Sequence, residues 1–219
     1  MKKLITLLVL GALCVATAAS AAKHPPKRQL LGAKNAAWAC KAQRTTMGAS
    51  AFLRTYGGNG ARGAGAMHNA FGKCVSQKTR LFNRARLFES ATGSLTAAAA
   101  VGTHQAVTLT ATIAGVRPIA SGNLAAALSV DLGMKVTKAG VTCAPASGTL
   151  TLTQASPAGT LQKTLTSATY CTGPSGAALG GKYTLTGTGT FAGKTGTGTE
   201  VILAPTGASA HSVEWGSIS

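Results

Sequence analysis

The chain has 219 residues, with 21 lysines and arginines against 4 aspartates and glutamates and a formal net charge of +17. So few acids leave little material for a catalytic carboxylate pair, and no segment after the first residues is apolar over the roughly 20 positions needed to cross a bilayer. An excess of one sign favours an anionic partner.

The first 21 residues have the pattern of a signal peptide. Lys2 and Lys3 precede a short apolar run, and the small residues at 19–21 close it with a cleavage site. We therefore expect residues 1–21 to be removed and residues 22–33 to form a basic linker. A chain exported in this way is secreted or held at the cell envelope.

The number and positions of the cysteines predict two disulfide bonds. Removal of the signal peptide takes Cys14 with it and leaves four cysteines, and an even number in an exported chain favours disulfides because that compartment is oxidising. The composition changes near residue 90 with two cysteines on each side, so we predict the bonds Cys40–Cys74 and Cys143–Cys171. The alternative is a zinc site, but the sequence has no Cys-x-x-Cys pair and its four histidines lack ligand spacing. We expect no metal and no cofactor.

Residues 34–90 form a predicted basic helical module. Residues 34–46 are rich in alanine without glycine or proline, and residues 49–56 continue the apolar rhythm before a glycine-rich break. A longer helix is predicted over residues 66–88, because its apolar positions recur at steps of three and four. A module of this size buries little core, so it needs a disulfide between its helices.

The positive charge is concentrated in this part of the chain. Residues 22–88 contain thirteen lysines and arginines and no acid, whereas residues 89–219 contain six against four. This block predicts an anionic partner, either an acidic polymer or surface of the cell envelope or nucleic acid bound without sequence preference. The alternative is that the bases only keep the protein soluble. The candidate anion-binding residues are Lys73, Lys78, Arg80, Arg84 and Arg86.

Two runs in this module resemble a known type of sequence. The run at 69–76, Asn-Ala-Phe-Gly-Lys-Cys-Val-Ser, and the run Ala-Cys-Lys-Ala at 39–42 are similar to a short two-cysteine module of predicted secreted actinobacterial proteins. The resemblance covers residues 35–80 and implies export. It implies no activity, because none is assigned to that module.

Residues 91–219 form a predicted antiparallel β domain. Threonine, glycine, alanine, valine and leucine dominate here, and apolar and polar residues alternate with the period of a half-buried strand. Seven or eight strands separated by glycine and proline imply a β-barrel or a β-sandwich, so the predicted fold class is α+β. The predicted strands are residues 107–113, 125–136, 150–153, 161–166, 183–186 and 199–203.

The glycine- and threonine-rich segment 183–198 resembles a hairpin of the allene oxide cyclase and dirigent barrel group, in which Gly-Thr-Gly-x-Phe precedes a second glycine-rich strand. The resemblance implies a barrel rather than a sandwich. It does not itself carry an activity, but it raises the alternative of a barrel enzyme related to the cyclases. A cavity inside the barrel would favour that alternative, and side chains filling the barrel would count against it.

The sequence contains no recognisable catalytic site. The run Gly-Lys-Thr at 193–195 lacks the glycine that a phosphate-binding loop needs five residues earlier, where Thr188 stands. The predicted function is therefore a secreted or envelope-associated binding or structural protein rather than an enzyme. The four acids lie far apart in the chain, and we expect no convergent carboxylate pair among them: Glu89, Asp131, Glu200 and Glu214.

Overall fold

The computed structural model describes residues 27–58, 63–114 and 117–219, and the predicted signal peptide lies outside them. In these parts of the chain three helices precede nine strands. The helices are α1 (Lys27–Met47), α2 (Ala49–Tyr56) and α3 (Gly63–Arg84). The strands are β1 (Leu87–Ala97), β2 (His104–Ile113), β3 (Gly122–Asp131), β4 (Val136–Lys138), β5 (Val141–Gln154), β6 (Gly159–Gly173), β7 (Gly176–Gly189), β8 (Thr195–Pro205) and β9 (Ala210–Ile218).

Eight of the strands close into an antiparallel barrel. Their order around the wall is β3-β2-β1-β9-β8-β7-β6-β5, and β3 pairs with β5 to complete the ring. The short β4 pairs with the beginning of β5 and is not part of the ring. The structure confirms the predicted α+β fold class, and of the two predicted β architectures it selects the barrel.

Side chains fill the interior of the barrel. Along β2, Val107, Leu109, Ala111 and Ile113 are buried, while the threonines between them face solvent. Leucine, alanine and tyrosine side chains from the other strands join these residues in one hydrophobic cluster. Eight strands leave an interior just wide enough for such a filling.

The helical module packs against the outside of the barrel wall. Ala36 and Ala39 of α1 share a buried cluster with Phe82 of α3 and Val213 of β9. One turn further, Ala42 is buried against the outer face of β7 and β8. Alanines at three-residue steps let the helix lie close to the wall, because they place little bulk between the two elements. The outer face of β9 is therefore buried as well as its inner face.

Several element boundaries differ from those predicted. Helix α1 begins at Lys27, inside the segment predicted as a linker, and α3 ends at Arg84, so that Leu87 already begins β1. The predicted strand 125–136 ends at Asp131, because the Asp131 carboxylate accepts a hydrogen bond from the Gly133 N–H at 2.9 Å. A bond of this kind stabilises a turn in place of a continued strand.

Both predicted disulfide bonds are present. Cys40 of α1 and Cys74 of α3 join the two longer helices, with Cα atoms 6.1 Å apart. Cys143 of β5 and Cys171 of β6 lie directly opposite each other in the sheet, with Cα atoms 4.0 Å apart. The first bond is buried beside Phe52, at the centre of the helical module.

Replacing Cys40 and Cys74 together by alanine is expected to lower the free energy of unfolding by about 3–4 kcal/mol. The bond closes a loop of 34 residues, so its removal increases the entropy of the unfolded chain. Urea unfolding followed by circular dichroism measures the loss, and amide exchange should show the helices losing protection first. The matched control removes Cys143 and Cys171, which close a loop of 28 residues in the barrel. An unchanged urea midpoint in the first variant would contradict the prediction.

Candidate functional site

Three glutamates meet inside the barrel. Glu89 on β1 pairs with Glu214 on β9, and Glu214 pairs with Glu200 on β8, so their carboxyl groups lie side by side on adjacent strands. All three face inward and are at most 2% exposed. The expectation that no carboxylates converge was wrong, because β9 brings residues that are far apart in the chain next to each other.

A lysine reaches into this group from β6. The Lys163 ammonium donates hydrogen bonds to Glu200 and Glu214 and is fully buried. The Ser212 hydroxyl also donates to Glu200. Every strong donor in the group thus points at a carboxyl oxygen. The buried acidic cluster, as we call it, consists of Glu89, Lys163, Glu200, Ser212 and Glu214.

Burial raises the pKa of two members of the buried acidic cluster. The pKa of Glu89 rises to about 9, mainly because burial penalises its charged form and further because Glu214 is nearby, although the Ile119 N–H opposes this with a hydrogen bond of 3.1 Å. Burial also raises the pKa of Glu214, to about 8, against the attraction of Lys163. One ammonium balances one carboxylate, so the cluster is neutral when two of its carboxyls hold protons.

Tyr183 of β7 lies beside the cluster. The centre of its ring is 5.2 Å from the Lys163 Nζ atom. Burial, together with the three glutamates, raises the pKa of the Tyr183 hydroxyl far above its usual value. Gly198 of β8 makes room for the ring, since a side chain there would collide with the tyrosine hydroxyl. Tyr183 therefore stays uncharged and packs against one side of the cluster.

Apolar side chains cover the cluster on one side along the barrel axis. Leu179, Ile202 and Ala210 face inward beyond the cluster on β7, β8 and β9, and each is at most 1% exposed. An acid that solutes do not reach performs no proton transfer on a substrate. No group of His, Cys, Asp or Glu in the described parts of the chain is arranged to hold a metal ion, and Lys163 is the cation between the carboxyls. We assign the cluster a structural role.

The cluster leaves the outside of the protein with a single acidic side chain. All four acids of the sequence lie within the described residues, and of these only Asp131, at the end of β3, is outside the barrel interior. The exterior is therefore almost entirely of one sign. Among the residues whose burial the structure describes, the exposed bases are Lys34, Lys41, Arg44, Arg54, Lys73, Arg80, Arg84, Arg86, Lys135, Lys138, Lys182 and Lys194.

Three of the candidate anion-binding residues form a line on α3. Lys73, Arg80 and Arg84 are exposed and stand at positions i, i+7 and i+11, which share one face of a helix. The exposed Gln77 continues the same face between them. At a rise of 1.5 Å per residue, the line is about 16 Å long. We call Lys73, Arg80 and Arg84 the basic stripe.

The other two candidates lie elsewhere. Lys78 faces the barrel wall, and its Nζ atom lies 4.2 Å from the centre of the Trp215 ring. Burial lowers the pKa of Lys78 to about 8. Arg86 is exposed in the connection between α3 and β1. The structure therefore brings three of the five predicted residues together and separates two.

Sequence reasoning placed neither Lys163 nor Glu200 in the interior, although a signal was present. Leu161 and Leu165 flank Lys163 at two-residue steps, and Ile202 follows Glu200 at the same step. Strict alternation puts these charged residues on the same face as their apolar neighbours. The fact that charged residues are rarely buried argued for the opposite face.

Comparisons of the chain with protein-family models, with curated proteins and with solved structures gave no match. The two sequence resemblances, to an actinobacterial secreted module and to the cyclase and dirigent barrels, stay predictions. What is established is the class of fold: a closed eight-stranded antiparallel barrel carrying a disulfide-linked helical module on its wall. None of the helices in the described segments is both long enough and apolar enough to span a membrane.

Proposed function

We propose that this is a secreted or cell-envelope-associated protein that binds an anionic polymer through its helical module, with the barrel as the scaffold. The polymer contacts the basic stripe of α3 and is held by its backbone charges rather than by a sequence of units. The two disulfide bonds support a location outside the cytoplasm, where such bonds persist.

The observation that carries this proposal is the enclosure of the acids. A soluble protein usually intersperses both signs on its surface, and bases kept only for solubility tolerate neighbouring acids. Here Glu89, Glu200 and Glu214 are inside the barrel, so surface carboxylates that would compete with an anionic partner are nearly absent from the described residues. The field outside the helical module therefore attracts polyanions over several ångströms.

The alternative of a cyclase-related enzyme has less support. That alternative needs a ligand cavity inside the barrel, whereas the interior holds a continuous hydrophobic cluster and the buried acidic cluster. The purely structural alternative accounts for the barrel but not for the alignment of the basic stripe.

Replacing Lys73, Arg80 and Arg84 together by glutamine is expected to weaken polymer binding at least tenfold. Each phosphate that a base neutralises contributes close to one unit to the slope of log affinity against log salt, so the slope should also fall by about 2–3 units. Affinity for poly(glycerol phosphate) and for duplex DNA, measured by fluorescence anisotropy at several salt concentrations, checks both values.

The matched control removes the same number of charges outside the helical module, at Lys135, Lys138 and Lys194, all exposed. This variant should keep most of the affinity. An equal loss of affinity in the two variants would mean that net charge alone governs binding. If the wild-type protein bound neither polymer at low salt, the proposal would be wrong and the bases would serve only solubility.

A further inference from the structure

A cleft lies between the helical module and the barrel wall. Its volume is about 320 Å³, the size of a small ligand site. The end of α1 forms one side, and outward-facing residues of β6 to β9 form the other. The residues that matter for recognition are Gln43, Lys78, Lys182, Thr199 and Trp215.

Lys78 gives the cleft a positive charge without a partner. The Lys78 ammonium lies over the Trp215 ring, and burial lowers the pKa of this lysine to about 8. All four acids of the sequence are among the described residues, and none of them lines the cleft. The ion pairs within the described residues are those of Lys163 with Glu200 and Glu214, so Lys78 takes part in none of them. A partly desolvated ammonium is stabilised when an anion enters beside it.

The remaining polar groups of the cleft are suited to oxygen atoms. Lys182 of β7 adds a second ammonium at the rim. The Tyr56 hydroxyl donates to the Gln43 Oε1 atom at 3.0 Å, which leaves the amide NH₂ of Gln43 to donate to a ligand. The hydroxyl of Thr199, with those of Ser167 and Thr169, can both donate and accept.

We propose that this cleft binds one sugar unit that carries a single oxyanion, a carboxylate or a phosphate. The ammonium groups of Lys78 and Lys182 hold the oxyanion, and the Gln43 amide and the threonine hydroxyls hold the sugar hydroxyls. This inference rests on the proposed function, because it names the unit of the anionic polymer that the protein recognises. The basic stripe then attracts the chain, and the cleft selects the unit.

Calorimetric titration of the full protein with glucuronate, with glucose 1-phosphate, with glucose and with inorganic phosphate tests the proposal. At least one of the two anionic sugars should bind saturably with one site, and the tighter of them identifies the oxyanion. Glucose and phosphate should each bind at least tenfold more weakly. The proposal is overturned if neither anionic sugar saturates, or if phosphate alone binds as tightly as the sugars.

Lys78→Met should lose at least tenfold in affinity for the anionic sugar while its melting temperature stays the same or rises, because methionine covers Trp215 without a buried charge. Lys182→Gln gives an independent second variant with a smaller loss. The triple glutamine variant of the basic stripe should bind the small ligand like wild type. Unchanged affinity for the anionic sugar in Lys78→Met would overturn the cleft proposal but not the polymer proposal. If only the polymer measurements failed, with the triple glutamine variant binding the polymer like wild type, the polymer proposal would be overturned and the sugar site in the cleft would stand.

Discussion

Replacing Lys163 by methionine is expected to destabilise the protein by about 3–5 kcal/mol at neutral pH, which is the usual effect of removing one partner of a buried ion pair. Methionine fills the space of the lysine stem but leaves Glu200 and Glu214 without their ammonium donor. Chemical unfolding at pH 7 measures the change. The exposed Lys194 provides the matched control, and Lys194→Met should change the stability by less than about 0.5 kcal/mol.

Two further measurements separate lost charge balance from lost packing. Lowering the pH to 5 should restore part of the stability of Lys163→Met, because protonated carboxyls no longer need a counterion. Adding Glu200→Gln and Glu214→Gln should restore more, since a neutral polar set replaces an unbalanced one. A Lys163→Met protein as stable as wild type would contradict the proposed electrostatic balance of the cluster.

The second large effect is a fall in stability as the pH rises from 5 to 8. Burial raises the pKa of Glu89 to about 9 and that of Glu214 to about 8, well above their unfolded values. Over this range the folded protein binds protons that the unfolded chain has released, so the free energy of unfolding decreases as pH increases. Each group contributes up to about 1.4 kcal/mol per pH unit. The stabilisation is fully present below the unfolded pKa and lost above the folded one.

Glu89→Gln should remove one of these two contributions and make the pH profile shallower by up to about 1.4 kcal/mol per pH unit. Subtracting the wild-type profile cancels the contributions of groups that titrate in the opposite sense. One of these is His211, because burial and the nearby Lys34 lower its pKa. Asp131→Asn is the matched control, because Asp131 lies outside the cluster. Parallel profiles for wild type and Glu89→Gln would show that Glu89 is ionised in the folded protein.

The sequence predicted six of the eight barrel strands, but it missed β1 and β9. Period-two alternation works for β2 because threonine is outside and apolar residues are inside. On β9 the order is reversed: Ser212 and Glu214 face inward, while Val213 and Trp215 lie outward under the helices. Alternation therefore indicates the wrong face of such a strand, because its polar residues are inside and its apolar residues are outside. The end of the predicted helix, at 88, failed for the same reason, since Phe88 is buried beneath α3.

The candidate site was predictable only in part. The number of bases and the sign of the net charge follow directly from composition. Three of the five candidate anion-binding residues fall on one face of a helix, and this could be predicted because spacing along a helix is a local property of the sequence. The enclosure of the acids depends on strand neighbours that are distant in the chain, which local patterns do not encode. The cleft depends on how the helices dock on the wall, and this too is set by tertiary contacts.

The seam between β1 and β9 has a kinetic consequence. Glu89 and Glu214 pair across it, although β1 and β9 are the first and the last strands of the chain. Contacts so distant in the chain form slowly, because a long loop has to be ordered first. The same step removes both carboxyl groups from water. Closing the ring and taking up protons are therefore coupled, and the pH of the surroundings influences how readily the chain completes its fold.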